Sequence, residues 1–307
     1  MGLRLQLTQR WLVLVAPLIA GVSIAPAPTL AAALSSSCPG LSAPALLSTF
    51  ASSCAKVNLS NFSVAPDQTG TLTDTDTETT SQGGFVLGKA DATASFDAKK
   101  KKAENQSYAW AGGIGSQYEG LAESTAAIFG YNFAVNKKAN DKSDDFFSFD
   151  FSALLELVTK VTNPAKEVAE ASGDVSFLLY ASDKKLKNRN LDELEENATL
   201  IDAFAINGKL STIASPAFTL SSFDPTGFNP IFDENTEAIA PFGQAVGITA
   251  KGKYSREFHK LTYLTLVEVK QNRAFVRAPE PMTAVALFCV AAALGAGRLK
   301  RGVRGEE

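Results

Sequence analysis

At 307 residues, with 45% apolar and 20% charged side chains, the chain has the composition of a globular protein and enough length for one large core or two small ones, which excludes wholesale disorder. Its net charge of −3 is unevenly spread, with basic ends and an acidic middle. An acidic body repels phosphate backbones, so nucleic acid is not an expected partner.

The first 33 residues read as a secretory signal peptide. Arg4 and Arg10 supply the positive region, and Trp11 to Val15 with Leu18 to Ile24 supply the apolar centre. Small residues at Ala31-Ala32-Ala33 suit cleavage after Ala33, so signal peptidase and the general secretion machinery are expected partners. Of three cysteines, Cys289 lies in a C-terminal apolar run, which leaves Cys38 and Cys54 for the mature body. A disulfide between them would suit an oxidising compartment and close a loop of about 15 residues, worth roughly 3 kcal/mol in the chain-entropy model; two free thiols are the alternative.

Pro44 with Leu46, Leu47 and Phe50 predicts one or two turns of amphipathic helix. Residues 66–84 are rich in Asp, Thr, Gly, Ser and Gln and read as a polar loop or linker. Asp74, Asp76 and Glu78 alternate within it, but the glycine turn and terminal Glu of a calcium loop are missing, so no metal site is assigned. From Val86 the period becomes two: Val86, Ala90, Ala92, Ala94 and Phe96 fall on one strand face, Lys89, Asp91, Thr93, Ser95 and Asp97 on the other. Lys99 to Lys102 form an exposed turn. Further strands are expected at Ala127 to Val135, Phe147 to Leu157, Val175 to Ala181, Leu200 to Ile206, Ala217 to Ser221, Val246 to Ala250 and Leu261 to Lys270, most of them short. Short helices are expected after Asn163-Pro164, ending before Gly173, and from Asn190-Leu191 through Glu196. The segment Phe223 to Gly243 reads as a loop. Many strands without regular intervening helices make the chain mainly β, with residues 34–278 as one antiparallel, jelly-roll-like β-sandwich.

Catalytic chemistry has little to work with. His259 is the only histidine, and the sequence contains no Gly-x-Ser-x-Gly, no His-Glu-x-x-His and no phosphate-binding loop. No catalytic residue, metal or cofactor is assigned. Gly112, Gly113 and Gly115 read as a flexible hairpin. Two carboxylates suffice for glycoside hydrolysis, but no pair stands out among the acidic residues. Tyr108, Trp110 and Tyr118 are the candidates for stacking on a sugar ring, because Tyr108 and Trp110 project to the same side of a strand; burial in the core is the alternative for Trp110.

The tail combines three signals in order: Pro279-Glu280-Pro281, an uncharged run Met282 to Gly297, and the basic cluster Arg298, Lys300, Arg301 and Arg304. As a helix the run would extend about 24 Å, short of the roughly 30 Å hydrocarbon core, with Arg298 and Lys300 able to snorkel. The positive-inside rule leaves residues 34–280 outside the cytoplasm. This tail resembles the sorting signal of bacterial PEP-CTERM proteins. The resemblance covers the tail and the signal peptide only. It implies export, a transient inner-membrane anchor and processing near the motif by an exosortase-type enzyme, with many such proteins linked to exopolysaccharide or the outer surface. On it, residues 279–281 are the recognition motif, 282–297 one transmembrane helix and 298–304 the stop. The expected function is that of a surface or extracellular-matrix protein, structural or adhesive; a carbohydrate-active hydrolase and a non-catalytic carbohydrate-binding module are the alternatives.

Overall fold

The computed structural model describes residues 22–23, 47–136, 145–187, 191–223, 227–239 and 242–278. They form eleven antiparallel strands: β1 (Val22–Ser23), β2 (Thr49–Ser60), β3 (Gln68–Asp97), β4 (Lys102–Val135), β5 (Phe146–Val161), β6 (Val168–Ser182), β7 (Thr199–Ser211), β8 (Ala214–Phe223), β9 (Phe228–Ile239), β10 (Phe242–Glu257) and β11 (Thr262–Ala278), with a helix at Leu191–Asn197. Ten lie on one hydrogen-bonded path, β1-β8-β7-β6-β11-β4-β2-β5-β10-β9, and β3, off that path, pairs with β4. The chain is thus mainly β and antiparallel, as its period-two patterns predict, and the sheet curls into a nearly closed, barrel-like form.

The curl is made by one long ribbon. β3 pairs with β4 from Gln68↔Tyr131 to Asp97↔Lys102, across the lysine turn. The other edge of β4 is shared end to end, Ala103–Gly113 pairing with β2 and Tyr118–Val135 with β11. Between these halves the ribbon folds, through Gly115 at φ +98° and Gln117 at φ +56°. A Cβ on Gly84 would sit 2.5 Å from the Ile114 carbonyl oxygen, so the backbones approach there as only glycine permits. The fold brings Gly88 against Leu121 and Thr77, its own ribbon's other half. Small residues line this corner: Ala109, Ala111, Ala122, Ala274 and Ala278 are buried together with Tyr118 and Val276.

Opposite walls then share one core. Ala55, Val57 and Leu59 from β2, Phe149, Leu155 and Leu157 from β5, Val175 and Phe177 from β6, Ile206 from β7, and Leu264 and Leu266 from β11 are buried in a single cluster. Aromatic rings make up much of this cluster. Phe62 lies 5.5 Å from Phe133 and 5.3 Å from Phe149, and Phe228 lies 4.7 Å from Tyr254. Such contacts contribute about 1 kcal/mol each beyond buried area. On the outer side of β11 and β6, the helix Leu191–Asn197 covers Leu178, Tyr180, Val267 and Val269 through Leu194.

Several sequence expectations are corrected. Phe50 lies in β2 and not in a helix, because β2 is paired on both edges, with β4 and β5, and buried on both faces. The polar stretch expected as a linker is the first half of β3: it carries few core residues yet is hydrogen-bonded throughout to β4, and its exposed acids and threonines suit an edge. No helix follows Asn163-Pro164, where the Glu167 carboxylate accepts the N–H groups of Thr162 and Asn163 at 2.8 Å, closing a turn from which β6 runs on through Gly173. The segment expected as a loop contains β9, anchored by the buried ring of Phe228 and paired along β10. Gly112, Gly113 and Gly115 are the bend of a paired strand, not a flexible hairpin. The strands are also longer than expected, β3 and β4 reaching 30 and 34 residues. The helix from Leu191, the lysine turn and the half-buried alternation of β3 from Val86 are as expected. The sorting motif, span and basic cluster of 279–307 lie outside the described residues. Among the described residues no helix is long and apolar enough to cross a membrane.

Candidate functional site

On the face of β3 and β4 away from the main core, three directly opposed pairs stand side by side: Lys89↔Trp110, Asp91↔Tyr108 and Thr93↔Gln106. Side chains alternate along a strand, so these six share one side of the ribbon. With Ala92 they line an open groove of about 220 Å³. The apolar surface continues past Trp110, because Leu87 and the opposed pair Phe85↔Ile114 follow in the same phase, all three exposed. An aromatic ring is therefore set between hydrogen-bonding side chains of both charges and an aliphatic shoulder.

Trp110 is half-buried and is propped from below by Phe50, whose ring meets it edge-on at 6.0 Å. Phe50 itself is fully buried, which fixes the indole's tilt. Tyr108 is only 4% exposed, and burial pushes the phenol well above its usual range, so it stays neutral. Its ring supports the groove floor and offers little free face. Tyr118 is not part of the groove. It is buried in the ribbon corner beneath Gly113, where its hydroxyl donates to Thr49 Oγ1 at 2.6 Å. The three aromatics expected as a stacking set thus divide into one platform, one floor and one distant core residue.

A row of residues crosses the sheet from the groove: Asp91, Tyr108, Cys54, Glu156 and Gly247 are successive partners on β3, β4, β2, β5 and β10. Cys54 is disulfide-bonded and fully buried; Cys38 and Cys289, the other two cysteines, lie outside the described residues. Glu156 is 3% exposed, and burial pushes its carboxyl up to about 7. Its Oε2 meets no hydrogen-bond donor among the described residues.

Other flagged residues lie elsewhere. His259 is on the surface, 85% exposed, with Nδ1 3.7 Å from Glu257. Asp74 is half-buried and Asp76 and Glu78 are exposed along β3, with no group of three or more metal-ligating side chains among the described residues. Sequence reading missed Lys89, Asp91, Thr93 and Gln106 as groove walls, since their meeting depends on β3–β4 register. Glu156 did carry a signal, a lone acid inside the apolar run Leu154 to Val158. No protein family, curated protein or solved structure matches this chain.

Proposed function

We propose that the protein is an exported component of the cell surface or extracellular matrix, non-enzymatic and adhesive, that holds exopolysaccharide through the Trp110 groove. The observation that carries the reading is the open groove itself: a propped indole beside Lys89, Asp91, Thr93 and Gln106, the combination of apolar ring face and convergent hydroxyl partners that a pyranose requires. The signal peptide and the PEP-CTERM-like tail supply the route, with an exosortase-type enzyme as processing partner. Contacts between the β2 and β5 wall and the β6 and β11 wall support treating the body as a flattened, sandwich-like form.

The hydrolase reading draws on Glu156, a carboxyl protonated near neutral pH as a general acid must be. Asp91, the other acid of its row, is three strand spacings away, about 14 Å, against the roughly 5–9.5 Å that glycosidase pairs span. The binding reading is therefore preferred. In affinity electrophoresis through gels containing the native exopolysaccharide, Trp110→Ala is expected to weaken retention about tenfold, in line with the loss of one stacking contact. Tyr118→Phe, remote from the groove, serves as the control. Equal retention of Trp110→Ala and the wild type would remove the groove as the binding site.

A further inference from the structure

The interior of the sheet is not purely apolar. On the inward face of β11, Glu268, Lys270 and Asn272 follow one another, each at most 2% exposed. Their strand neighbours are Ile128 and Phe177 for Glu268, and Ala126 and Val175 for Lys270, all buried. From the opposite wall, two residues of β4's first half reach into the same row. Asn105 donates its Nδ2 to Glu268 Oε2, and Ser107 accepts from Asn272 Nδ2 while Ser53 Oγ donates to Asn272 Oδ1 at 2.6 Å. Lys270 sits between these two crossings, its Nζ 3.8 Å from Glu268 Oε1. Neither Lys270 Nζ nor Asn105 Oδ1 has a hydrogen-bond partner among the described residues, and Glu268 Oε1 has none either.

A lysine, a carboxamide and a carboxyl group brought together in a dry core, with the carboxyl touching both others, is a poor ion pair. Burying it costs several kcal/mol per charge, and its 3.8 Å contact lacks the geometry to compensate. Glu268 instead links the other two, one oxygen accepting from Asn105 and the other 3.8 Å from Lys270 Nζ. We propose that Lys270 and Asn105 are joined by an isopeptide bond, formed with Glu268 as the proton-transfer group, which staples β11 to β4 across the core.

The step balances without any co-reactant. Neutral Lys270 attacks Asn105 Cγ; Glu268, which already accepts from Asn105 Nδ2, takes the proton released by Nζ and delivers it to the departing Nδ2. A new Nζ–Cγ bond forms, the Cγ–Nδ2 bond breaks, one ammonia leaves and Glu268 is regenerated. The protonation states suit this chemistry. Burial pulls Lys270 down to about 8, against the opposing attraction of Glu268 and with added repulsion from Lys56. Burial likewise raises Glu268, opposed by Lys270 and by the bond from Asn105. Both ends of the reaction lie between the walls that the ribbon fold brings face to face, so the bond would form only after the sheet has curled.

The test is peptide mapping of the exported wild-type protein after reduction and denaturation, independently of any glycan measurement. The expected result is one branched peptide containing both Asn105 and Lys270, lighter by one ammonia than the two separate peptides together, with no cleavage by trypsin after Lys270. Separate, unmodified Asn105 and Lys270 peptides from the wild type would overturn the proposal. Glu268→Gln is expected to yield only separate peptides; a branched peptide surviving in that variant would overturn the role given to Glu268. Because the first result is read on the wild type, it stands whether or not the variant folds.

Discussion

Glu156 is a carboxyl group held on the side of β5 away from the main core and nevertheless buried, beside Cys54 of β2 and opposite Gly247 of β10. Its carboxyl is pushed from an ordinary 4.5 to about 7 by burial. The unfolded chain therefore releases this proton first, and stability falls as pH rises from about 4.5 to 7, levelling off above that window. At about 1.4 kcal/mol per pH unit the full loss is on the order of 3 kcal/mol. Glu156→Gln, of the same shape but without charge, is expected to match the wild type at pH 4 and to exceed it by about 2–3 kcal/mol at pH 8. Denaturant midpoints measured at the two pH values check this; parallel curves would place the carboxyl in a solvated setting. At this scale the sequence was partly readable: an acid between Leu155 and Leu157 announces an unusual environment, but not which strands enclose it. For Trp110 the strand phase was legible, whereas the propping by Phe50 was not, since Phe50 sits 60 positions earlier and was assigned to a helix.

Among the elements, the β3–β4 ribbon decides most of the architecture, because its bend transfers β4 from β2 to β11. The bend depends on close backbone approach at Gly84 and on the left-handed conformation of Gly115, whose Cβ would lie 2.9 Å from Gly84 Cα. Gly115→Val is expected to lower stability by about 1–3 kcal/mol through its φ alone, with further loss from that clash. Thermal unfolding of the purified body measures it; a variant as stable as the wild type would mean the bend tolerates side chains. The alternation of β3 from Val86 onward was plain in the sequence. Its first half was not, because Thr71 to Ser81 buries almost nothing and is a strand only by virtue of its partner. Hydrophobic period reports burial, and an exposed edge has none to report. The same reason hid residues 229–234 of β9, which are exposed or half-buried.

For the molecule as a whole, the pairing partners are far apart in the chain: Phe50 meets Lys160, and Arg277 meets both Glu119 and Val168. Such non-local closure makes the sheet sensitive to where its strands begin and end, and on the proposed export route it would be completed after the membrane is crossed. Replacement of Pro279, Glu280 and Pro281 by alanine is expected to leave the protein in the membrane fraction with Glu307 retained, whereas the wild type reaches the surface with a shortened C-terminus. Cell fractionation followed by mass spectrometry of the C-terminal peptide distinguishes these outcomes, and an intact Glu307 on surface-located wild type would reduce the tail to a simple anchor. The address proposed for the chain rests on contiguous residues, a charged-then-apolar leader and a motif, apolar run and basic cluster in sequence, so it can be read without folding anything. The same holds for the mainly β class, which follows from alternation within single strands. Register is different in kind. That Lys89 and Asp91 flank Trp110, that Glu156 lies in line with Cys54, and that Glu268 bonds to Asn105 follow only from strand pairing and from the ribbon's fold, because backbone hydrogen bonding is the same at every register and the choice among registers is made by side chains of distant segments packing together.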